Sequence, residues 1–480
     1  MIAYVFPPEG SAGTYRPLRF VRHLPSHGWR PVVIAEKTQY YERYDPQLLD
    51  LLPSGVEIVR VPNPDPWKAI QERRTQKFRQ KISSAPADVI GRIATSHERP
   101  LRATLRNLVH TIESIVYFPD LTMGWIRPAT EAAIKACAQS GSEVIWATGG
   151  PWSSLVVARK VSRCTGLPYI LDFRDSWTLE PDPFEARQPE WAKARNRQLL
   201  GRLFSDALAV VFRYMAEAES YWRAFPGFLD AERVHIIPNG YDGVITQTGI
   251  DRQDRCTVVY TGYIDGYWYE SVFDALVELK RSDPDVVRKL RFVFAGEGAR
   301  PISQLADRLA LSDIVKTTGV LPFSETNQLQ SRADALLLLG WRPGRGREFR
   351  GSKIFGYLKA ARPIVGVLPD DENKRILQSV GVRTIAHAGS IPEISEVFRR
   401  LVKTWSTGDL ASLVPDPTAC EKYSAETQTL ALVRALEGLP PDEPFKPGAC
   451  AVPPSLVNFI SAVRLEERST VIPSSNLQSE

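Results

Sequence analysis

The stretch EVIWATGGPWSSLVVARKVSRCTGLPYILDFRDSW, residues 143–177, decides the fold class. It begins with the strand-forming run Glu143–Ala147 and passes through a Gly-Gly-Pro turn into a helix-forming segment, Ser153–Cys164. It then returns after Gly166 to a second apolar run, Tyr169–Phe173. Short, continuous apolar runs separated by helices are typical of parallel strands covered on both faces. The stretch is therefore predicted to be a strand–helix–strand unit of an α/β domain.

The same alternation extends in both directions along the chain. Upstream, a strand near Ile2–Phe6 precedes a helix around Tyr15–Leu24, and a second series of strands and helices begins after the polar segment Gln247–Arg255. Two such series predict two Rossmann-like, doubly wound domains, 1–244 and 256–412, that face each other across a cleft. Parallel sheets bind ligands at the carboxyl ends of their strands, so the site is expected in that cleft. Residues 438–480 turn to Pro, Ser and Glu and are predicted to be mostly disordered.

Composition excludes several classes of protein. The 480 residues are 43% hydrophobic and 24% charged, which is ordinary for a soluble chain with two cores. The most apolar run, Ala333–Trp341, is far shorter than the ~20 residues that span a bilayer, and the first residues have no basic region typical of a signal peptide. Five scattered cysteines and isolated histidines lack metal-ligand spacing. We therefore expect a cytoplasmic protein without a metal.

Residues 68–106 are strongly basic. A solvated helical face explains such a run, and so does a surface that meets anionic lipid headgroups. Nucleic acid is not expected as a partner, because aromatic residues do not alternate with the basic ones as they do in single-strand binders.

Two glycine-containing turns follow predicted strands. In the first, Gly10 and Gly13 precede a helix that carries Arg16; glycine lets backbone N–H groups approach an anion at a helix N-terminus. In the second, Gly149 and Gly150 end the strand at the centre of the quoted stretch. Either turn can hold a phosphate or another ligand, and either can equally be a plain strand-to-helix connection.

Charged residues also follow the strand Tyr169–Phe173. Asp172, Arg174 and Asp175 are placed at the carboxyl end of the sheet, where a carboxylate can contact a substrate hydroxyl while the arginine orients it. The alternative is structural: Arg174 pairs with one of the aspartates.

The segment 346–358 follows a buried strand and opens a helix. Ser352 is predicted to cap this helix, and the free N–H groups together with Lys353 suit a diphosphate. Arginines before the helix add positive charge: Arg342, Arg345, Arg347 and Arg350. A helix cap without a ligand is the simpler alternative.

Six motifs in this order resemble those of a known family. They are the opening glycine turn with Arg16, the segments 168–177 and 234–242, Val293–Gly298, Thr318–Pro322, and Ser352–Leu358 followed by Arg362-Pro363. From residue 2 to 436 the chain resembles the GT-B glycosyltransferases, specifically the family 4-like retaining enzymes that build bacterial cell-surface polysaccharides.

The resemblance implies transfer of a sugar from a nucleotide-diphosphate donor to a polysaccharide, lipid-linked or other glycan acceptor. The family retains the anomeric configuration and needs no essential metal or other cofactor, because the leaving phosphate helps to deprotonate the acceptor. It also implies a helix, here 418–436, that returns to the first domain. With the basic stretch 68–106, it is compatible with a cytoplasmic enzyme held peripherally at the inner face of the membrane.

The resemblance assigns roles to residues on both domains. In the second domain, Glu348 would contact the donor sugar, and the remaining donor-binding residues would be Gly262, Gly319, Val320, Arg350, Ser352 and Lys353. In the first domain, Asp172, Arg174 and Asp175 would face the acceptor, near the loops that carry Gly10, Gly13, Arg16, Gly149 and Gly150.

Two departures from the family pattern keep other functions open. Position 356 is Gly where the family has its second motif Glu, and 262–268 lacks the usual Arg/Lys pair. A nucleotide-sugar epimerase of the same fold is one alternative, although the isolated histidines disfavour it. A catalytically silent GT-B module that binds sugar nucleotides is the other, and Gly356 favours that reading.

Overall fold

The computed structural model describes residues 1–37, 43–64, 111, 113–179, 184–245, 254–342 and 352–448. The chain forms two compact units. Unit 1 comprises Met1–Ile237 and the chain from Thr429 onward, and unit 2 comprises Pro238–Gln428. Unit 2 is therefore inserted into unit 1, and the units part at Ile237 and Pro238, near the predicted junction at residue 245.

The unit 1 sheet is parallel and has the amino terminus in its interior. Strands β1 and β2 pair with each other, and β3 to β6 follow one another in order. Ile2 forms parallel bridges with both Ile34 and Ala147, so the first residues lie between β1 and β3. The strands are β1 (Val32–Lys37), β2 (Glu57–Pro62), β3 (Ile145–Gly149), β4 (Tyr169–Phe173), β5 (Ala209–Phe212) and β6 (Val234–Ile236).

Helices cover this sheet, and one of them comes from the far end of the chain. Leu432 and Val433 of that helix share a buried cluster with Phe20, Trp146 and Ile170. Their burial explains why the chain from Thr429 belongs to unit 1. The described helices of unit 1 are α1 (Ala12–His23), α2 (Gln47–Asp50), α3 (Ile126–Ser140), α4 (Ser153–Thr165), α5 (Glu190–Asp206) and α6 (Met215–Ala224).

Unit 2 contains a six-stranded parallel sheet in the order β12-β11-β10-β7-β8-β9. The chain starts at the centre, builds outward to one edge, and then returns to build the other half. This order has a topological switch point between β7 and β10, where doubly wound sheets bind ligands. The strands are β7 (Cys256–Thr261), β8 (Leu290–Ala295), β9 (Val315–Gly319), β10 (Ala335–Leu339), β11 (Ile364–Leu368) and β12 (Ile385–His387).

Most helices of unit 2 lie between successive strands of its sheet. The described ones are α7 (Tyr269–Ser282), α8 (Pro284–Arg288), α9 (Ala299–Arg308), α10 (Phe323–Arg332), α11 (Lys353–Lys359), α12 (Glu372–Ser379), α13 (Ile391–Thr407) and α14 (Pro417–Cys420). The last described helix, α15 (Ala425–Leu436), starts in unit 2 and ends in unit 1.

The predicted α/β class with parallel sheets is confirmed, and the structure adds a strand that the sequence analysis missed. Strand β2 carries the charged residues Glu57 and Arg60 among apolar ones and ends at Pro62, which is typical of an edge strand. At the other end of the chain, residues 438–448 are ordered against unit 1, where Phe445 is buried and the Gly448 N–H donates to Glu219 at 2.8 Å. Residues 449–480, and the basic stretch 68–106, lie outside the described residues. No helix in the described part is long and apolar enough to cross a membrane.

Candidate functional site

The loops after β7, β8 and β9 meet at the carboxyl edge of the unit 2 sheet. The Gly262 N–H donates to the carbonyl of Ala295 at 2.7 Å, and the Gly296 N–H donates to that of Gly319 at 2.7 Å. These bonds fix three strand ends in one row beside the switch point. Backbone N–H and C=O groups therefore line the position where a doubly wound sheet takes its ligand.

Gly262 is a position that only glycine fits. Its φ is +107°, a conformation that L-residues with side chains rarely adopt. A Cβ atom there would also lie 2.7 Å from Cε of Lys353. The missing side chain therefore lets the lysine lie directly on the backbone at the end of β7.

Lys353, the first residue of α11, is enclosed by aromatic rings. Its ammonium group donates to the hydroxyl of Tyr260 and, at 2.8 Å, to the carbonyl of Tyr263. The nitrogen lies 4.4 Å from the ring centroid of Tyr260 and 4.2 Å from that of Tyr267. Cation–π contacts of this kind attract the charge but do not neutralise it.

Lys353 has no carboxylate partner among the described residues. Burial lowers the pKa of its amine from 10.5 to about 7. A partly buried amine that has no counter-ion among the described residues, beside backbone groups at the sheet edge, suits an anionic ligand. The role of Lys353 as a diphosphate contact stays a prediction. The sequence analysis missed Tyr260 and Tyr267, which surround it.

Buried hydrogen bonds that do not include Lys353 join helix α11 to the end of β7. The Thr261 N–H donates to the hydroxyl of Tyr357 at 3.0 Å, and Nε2 of Gln330 donates to Oγ1 of Thr261 at 2.8 Å. Among the described residues, Gly356 has open space beside it, because a Cβ there would find only Oε1 of Gln330 within 4 Å, at 3.8 Å. The position of the family's second carboxylate is therefore unfilled but not blocked.

The predicted cap at Ser352 is wrong. Ser352 has helical backbone angles, φ −82° and ψ −24°, and its side chain makes no cap hydrogen bond. A capping residue needs extended angles to turn its oxygen onto the N–H groups that follow. The Ser352 hydroxyl is thus left exposed, and its contact with a diphosphate stays a prediction.

Of the other residues predicted to bind the donor, some are accessible and some lie outside the described residues. Gly319 has a φ of +74°, and Val320 beside it is 72% exposed, so the backbone there is open to a ligand. Glu348 and Arg350 lie outside the described residues, as do Arg345 and Arg347.

Arg342 was predicted to add free positive charge, but its guanidinium is already paired. It forms an ion pair with Glu270 and lies 5.4 Å from the ring of Trp268. Backbone bonds from the Arg342 N–H to Gly266 and from the Trp268 N–H to Gly340 tie the loops after β7 and β10 together. Arg342 therefore stabilises the switch point.

In unit 1, Arg16 and Asp172 form a buried ion pair between α1 and the end of β4. The Arg16 Nη2 atom lies 2.8 Å from Oδ1 of Asp172, and Nε donates to both carboxylate oxygens at 3.1 Å. Asp172 is fully buried. This burial argues against its predicted contact with an acceptor, and the pairing argues against Arg16 as a phosphate ligand.

Arg174 forms no ion pair with Asp172 or Asp175, although the structural alternative required one. Its Nε donates to the carbonyl of Gly149 at 3.3 Å, and Nη1 donates to that of Gly13. Burial lowers the pKa of its guanidinium, while the charges of Asp175 and Asp172 act in the opposite direction. The carbonyls of Gly13 and Gly149 thus hold the Arg174 guanidinium, while contact of their N–H groups with an anion stays a prediction. The N–H group of Gly10 is already bonded, because it donates to the carbonyl of Arg43 at 2.7 Å.

Asp175 differs from its neighbours because it is exposed. A Cβ on Gly150 would lie 3.9 Å from Oδ2 of Asp175 and 3.7 Å from the indole of Trp152. Gly150 therefore leaves space beside the exposed Asp175 carboxylate, whereas the Trp152 indole is only 8% exposed. The sequence analysis placed Asp175 and Gly150 at one sheet edge but missed Trp152.

A buried network after β5 was also missed. Glu217, fully buried, accepts from Oγ of Ser176 at 2.7 Å and from Nη2 of Arg213 at 3.1 Å. Burial opposes the charge of Arg213, but the Glu217 carboxylate holds the pKa of that guanidinium above its ordinary value. The spacing of Arg213 and Glu217, i and i+4, was the only signal available in the sequence. Among the described residues, no group of His, Cys, Asp and Glu side chains could hold a metal ion.

No protein-family profile and no curated protein sequence matches the chain, whereas solved structures do. WaaG, a glycosyltransferase involved in lipopolysaccharide biosynthesis, matches 91% of this chain and 99% of its own, at 13% identity and a TM-score of 0.53. Sucrose-phosphate synthase from Thermosynechococcus elongatus matches 88% and 92%, at 12% identity and a TM-score of 0.52. The lipopolysaccharide outer core galactosyltransferase WaaB matches 91% and 99%, at 11% identity and a TM-score of 0.51.

These structural neighbours share both Rossmann-like halves with the chain over nearly its whole length. The strand orders described above are those that such halves require. The chain therefore has the fold of the GT-B glycosyltransferases.

Proposed function

We propose that the chain is a retaining glycosyltransferase that moves a sugar from a nucleotide diphosphate to a glycan acceptor. The observation that carries this proposal is Lys353, a cation without a described counter-ion, lying on the Gly262 backbone at the switch point of unit 2. The fold supports it, because WaaG and WaaB are named as glycosyltransferases of lipopolysaccharide.

The chemistry of the transfer explains why Lys353 matters. The bond between the anomeric carbon and the phosphate oxygen breaks, and the diphosphate leaves with the bonding electron pair. The acceptor oxygen forms the new bond to the anomeric carbon, and a phosphate oxygen takes the acceptor's proton. Negative charge thus develops on the leaving diphosphate, and a fixed cation in a low-dielectric site stabilises it in the transition state.

The remaining assignments are parts of the same proposal. Gly319 and Val320 would contact the nucleoside through the backbone, Ser352 and Arg350 would add diphosphate contacts, and Glu348 would contact the donor sugar. The acceptor would bind to unit 1 at Asp175 and Gly150. No metal or other cofactor is required.

A lipid-linked acceptor and a place at the inner face of the cytoplasmic membrane are also proposed. The basic composition of 68–106 supports them, since Lys/Arg clusters are attracted to anionic lipids. Flotation of the full chain with vesicles, with and without anionic lipid, tests this part separately from the chemistry.

The test of the main proposal is a screen of nucleotide diphosphates for thermal stabilisation, followed by calorimetry on Lys353→Ala and on Lys353→Ala with Glu348→Ala. A ligand that binds the native state raises the melting temperature. Loss of one charge-assisted hydrogen bond, ~1.5–3 kcal/mol, lowers affinity roughly 10- to 100-fold. Lys359→Ala is the matched control, because Lys359 is an exposed lysine in the last turn of the same helix. Unchanged sugar transfer in the double variant would refute the assignment.

Gly356 favours a second candidate, a GT-B module that binds sugar nucleotides without turning them over. Where the family has a carboxylate, this position offers only open space. Mass spectrometry of the nucleotide product, with and without an acceptor, separates the candidates. Release of free nucleotide diphosphate with a glycosylated acceptor indicates the transferase, an altered sugar still on its nucleotide indicates an epimerase, and binding without any product indicates the module.

A further inference from the structure

At the ends of β4 and β5 in unit 1, the described residues form a cluster with as many arginines as carboxylates. Its members come from α1, from the ends of β4 and β5, and from α6: Arg16, Arg174, Arg213, Asp172, Asp175 and Glu217. Two of the arginines are paired with fully buried carboxylates. The third lies within the electrostatic reach of Asp175. Among the described residues, this cluster therefore offers no surplus positive charge to an anionic ligand.

Asp175 is the member of this set that reaches solvent. Its neighbours Arg174 and Ser176 are buried and hydrogen-bonded, Arg174 to the carbonyl of Gly149 and Ser176 to Glu217. The Asp175 backbone is thereby fixed on both sides while its carboxylate stays open. A carboxylate held in this way accepts hydrogen bonds from neutral donors and repels anions.

The approach to Asp175 is bordered by an aromatic pair. Trp152 stacks on the fully buried Trp177, with ring centroids 5.1 Å apart and an interplanar angle of 5°. Gly150 lies beside both the Trp152 indole and the Asp175 carboxylate. Trp152 is only 8% exposed, so the edge of its indole, at Cζ2 and Cη2, rather than a ring face borders this space. A hydrogen-bond acceptor beside a fixed apolar edge suits a sugar ring, which has both hydroxyl groups and apolar C–H groups.

We propose that Asp175 and the space beside Gly150 bind an uncharged sugar of the acceptor, with Asp175 accepting a hydrogen bond from one of its hydroxyls. The proposal rests on the glycosyl transfer proposed above and specifies its acceptor class: a neutral glycan terminus rather than a sugar phosphate. The donor site on unit 2 is not involved.

Two substitutions test it by different means. Asp175→Asn keeps the shape but removes the charge and replaces one acceptor oxygen with a donor. Gly150→Ala adds a methyl group whose nearest described neighbours, Trp152 and Asp175, are at ordinary contact distances of 3.7 Å and more, so space for it exists in the folded protein. Glu143→Gln is the control, an exposed carboxylate of unit 1 that precedes β3 and so lies at the opposite edge of the sheet.

The acceptor probes are neutral methyl hexopyranosides and the same sugars carrying a 6-phosphate. With the donor selected by the nucleotide screen, we expect Asp175→Asn and Gly150→Ala to lower kcat/KM for the neutral acceptor by about 10- to 100-fold, as for a lost charge-assisted hydrogen bond. Calorimetric affinity for the donor nucleotide should remain within twofold in both variants, and Glu143→Gln should match the wild type. A preference for the phosphorylated sugars, or unchanged kcat/KM in Asp175→Asn, would overturn the proposal.

A binding measurement keeps the inference testable even where no transfer is seen. Saturation-transfer NMR of the methyl glycosides with the full chain should show contact that Asp175→Asn and Gly150→Ala weaken and Glu143→Gln does not. Equal signals in all variants, or no contact with the wild type, would refute the acceptor site. Failure of nucleotides to bind would instead refute the proposed transferase.

Discussion

Binding of a sugar nucleotide should take up a proton at Lys353 when the pH is above 7. Burial places the pKa of the free amine at about 7, so at pH 8 most of the unliganded protein carries a neutral Lys353. A diphosphate favours the ammonium form and raises this pKa, which couples binding to protonation. Below pH 7 the amine is already charged, and no uptake is expected there.

The size of the effect follows from the linkage of one proton. Between the pKa of the free amine and that of the complex, affinity falls by up to tenfold per pH unit, or ~1.36 kcal/mol. Because half of the free amine is already neutral at pH 7, the dissociation constant of a sugar nucleotide should rise by up to about 50-fold from pH 7 to pH 9. A sugar nucleotide is preferable to a free diphosphate, because its phosphates do not titrate in this range.

Calorimetry at pH 8 in buffers of different ionisation enthalpy measures the uptake directly. Wild type should take up close to one proton, Lys353→Arg close to none because arginine stays charged, and Lys359→Arg should match the wild type. A pH-independent affinity, or equal proton uptake in wild type and Lys353→Arg, would show that this amine does not meet the diphosphate.

Four further substitutions follow from the geometry. Gly262→Ala should destabilise unit 2 by about 1–3 kcal/mol, because φ is +107° and the new Cβ would collide with Lys353. Gly356→Ala, in helix α11 with space beside it, should instead stabilise unit 2 by about 0.5–1 kcal/mol. Urea unfolding measures both changes. Asp172→Asn should destabilise unit 1 by roughly 3–5 kcal/mol, because it leaves the buried Arg16 without its charge partner. The exposed pair Arg127–Glu131 supplies the contrast, since Glu131→Gln should change the unfolding free energy by less than about 0.5 kcal/mol. A loss at Asp172 no larger than that at Glu131 would contradict the burial argument.

The strands and the order of the motifs could be predicted because an apolar run is a local feature of the sequence. Tyr169–Phe173 was predicted with its observed bounds. Strand β2 was missed because an edge strand exposes one face and keeps charged residues, so its run of apolar residues is not continuous. The helix start near residue 353 was found, yet the cap was wrong because Ser352 has helical backbone angles, which its residue type alone does not indicate.

Contacts across long sequence separations could not be predicted. Arg16 and Asp172 are 156 positions apart, and both were assigned to substrate because each ends or follows a strand. Nothing in their own segments indicates that they neutralise each other. Conversely, the position of Lys353 was predicted from its motif, but the rings of Tyr260 and Tyr267 come from strand β7 and the loop after it, 93 and 86 positions earlier in the numbering.

The insertion of unit 2 within unit 1 has a consequence for biosynthesis. The first residues of the chain pair with Ile34 and Ala147, but the helix that covers Phe20 and Trp146 is made only after residue 425. During translation the inserted unit can complete its own core while the first still exposes apolar surface. We expect the nascent first half to be the species that chaperones bind, until the last helix emerges from the ribosome and closes it.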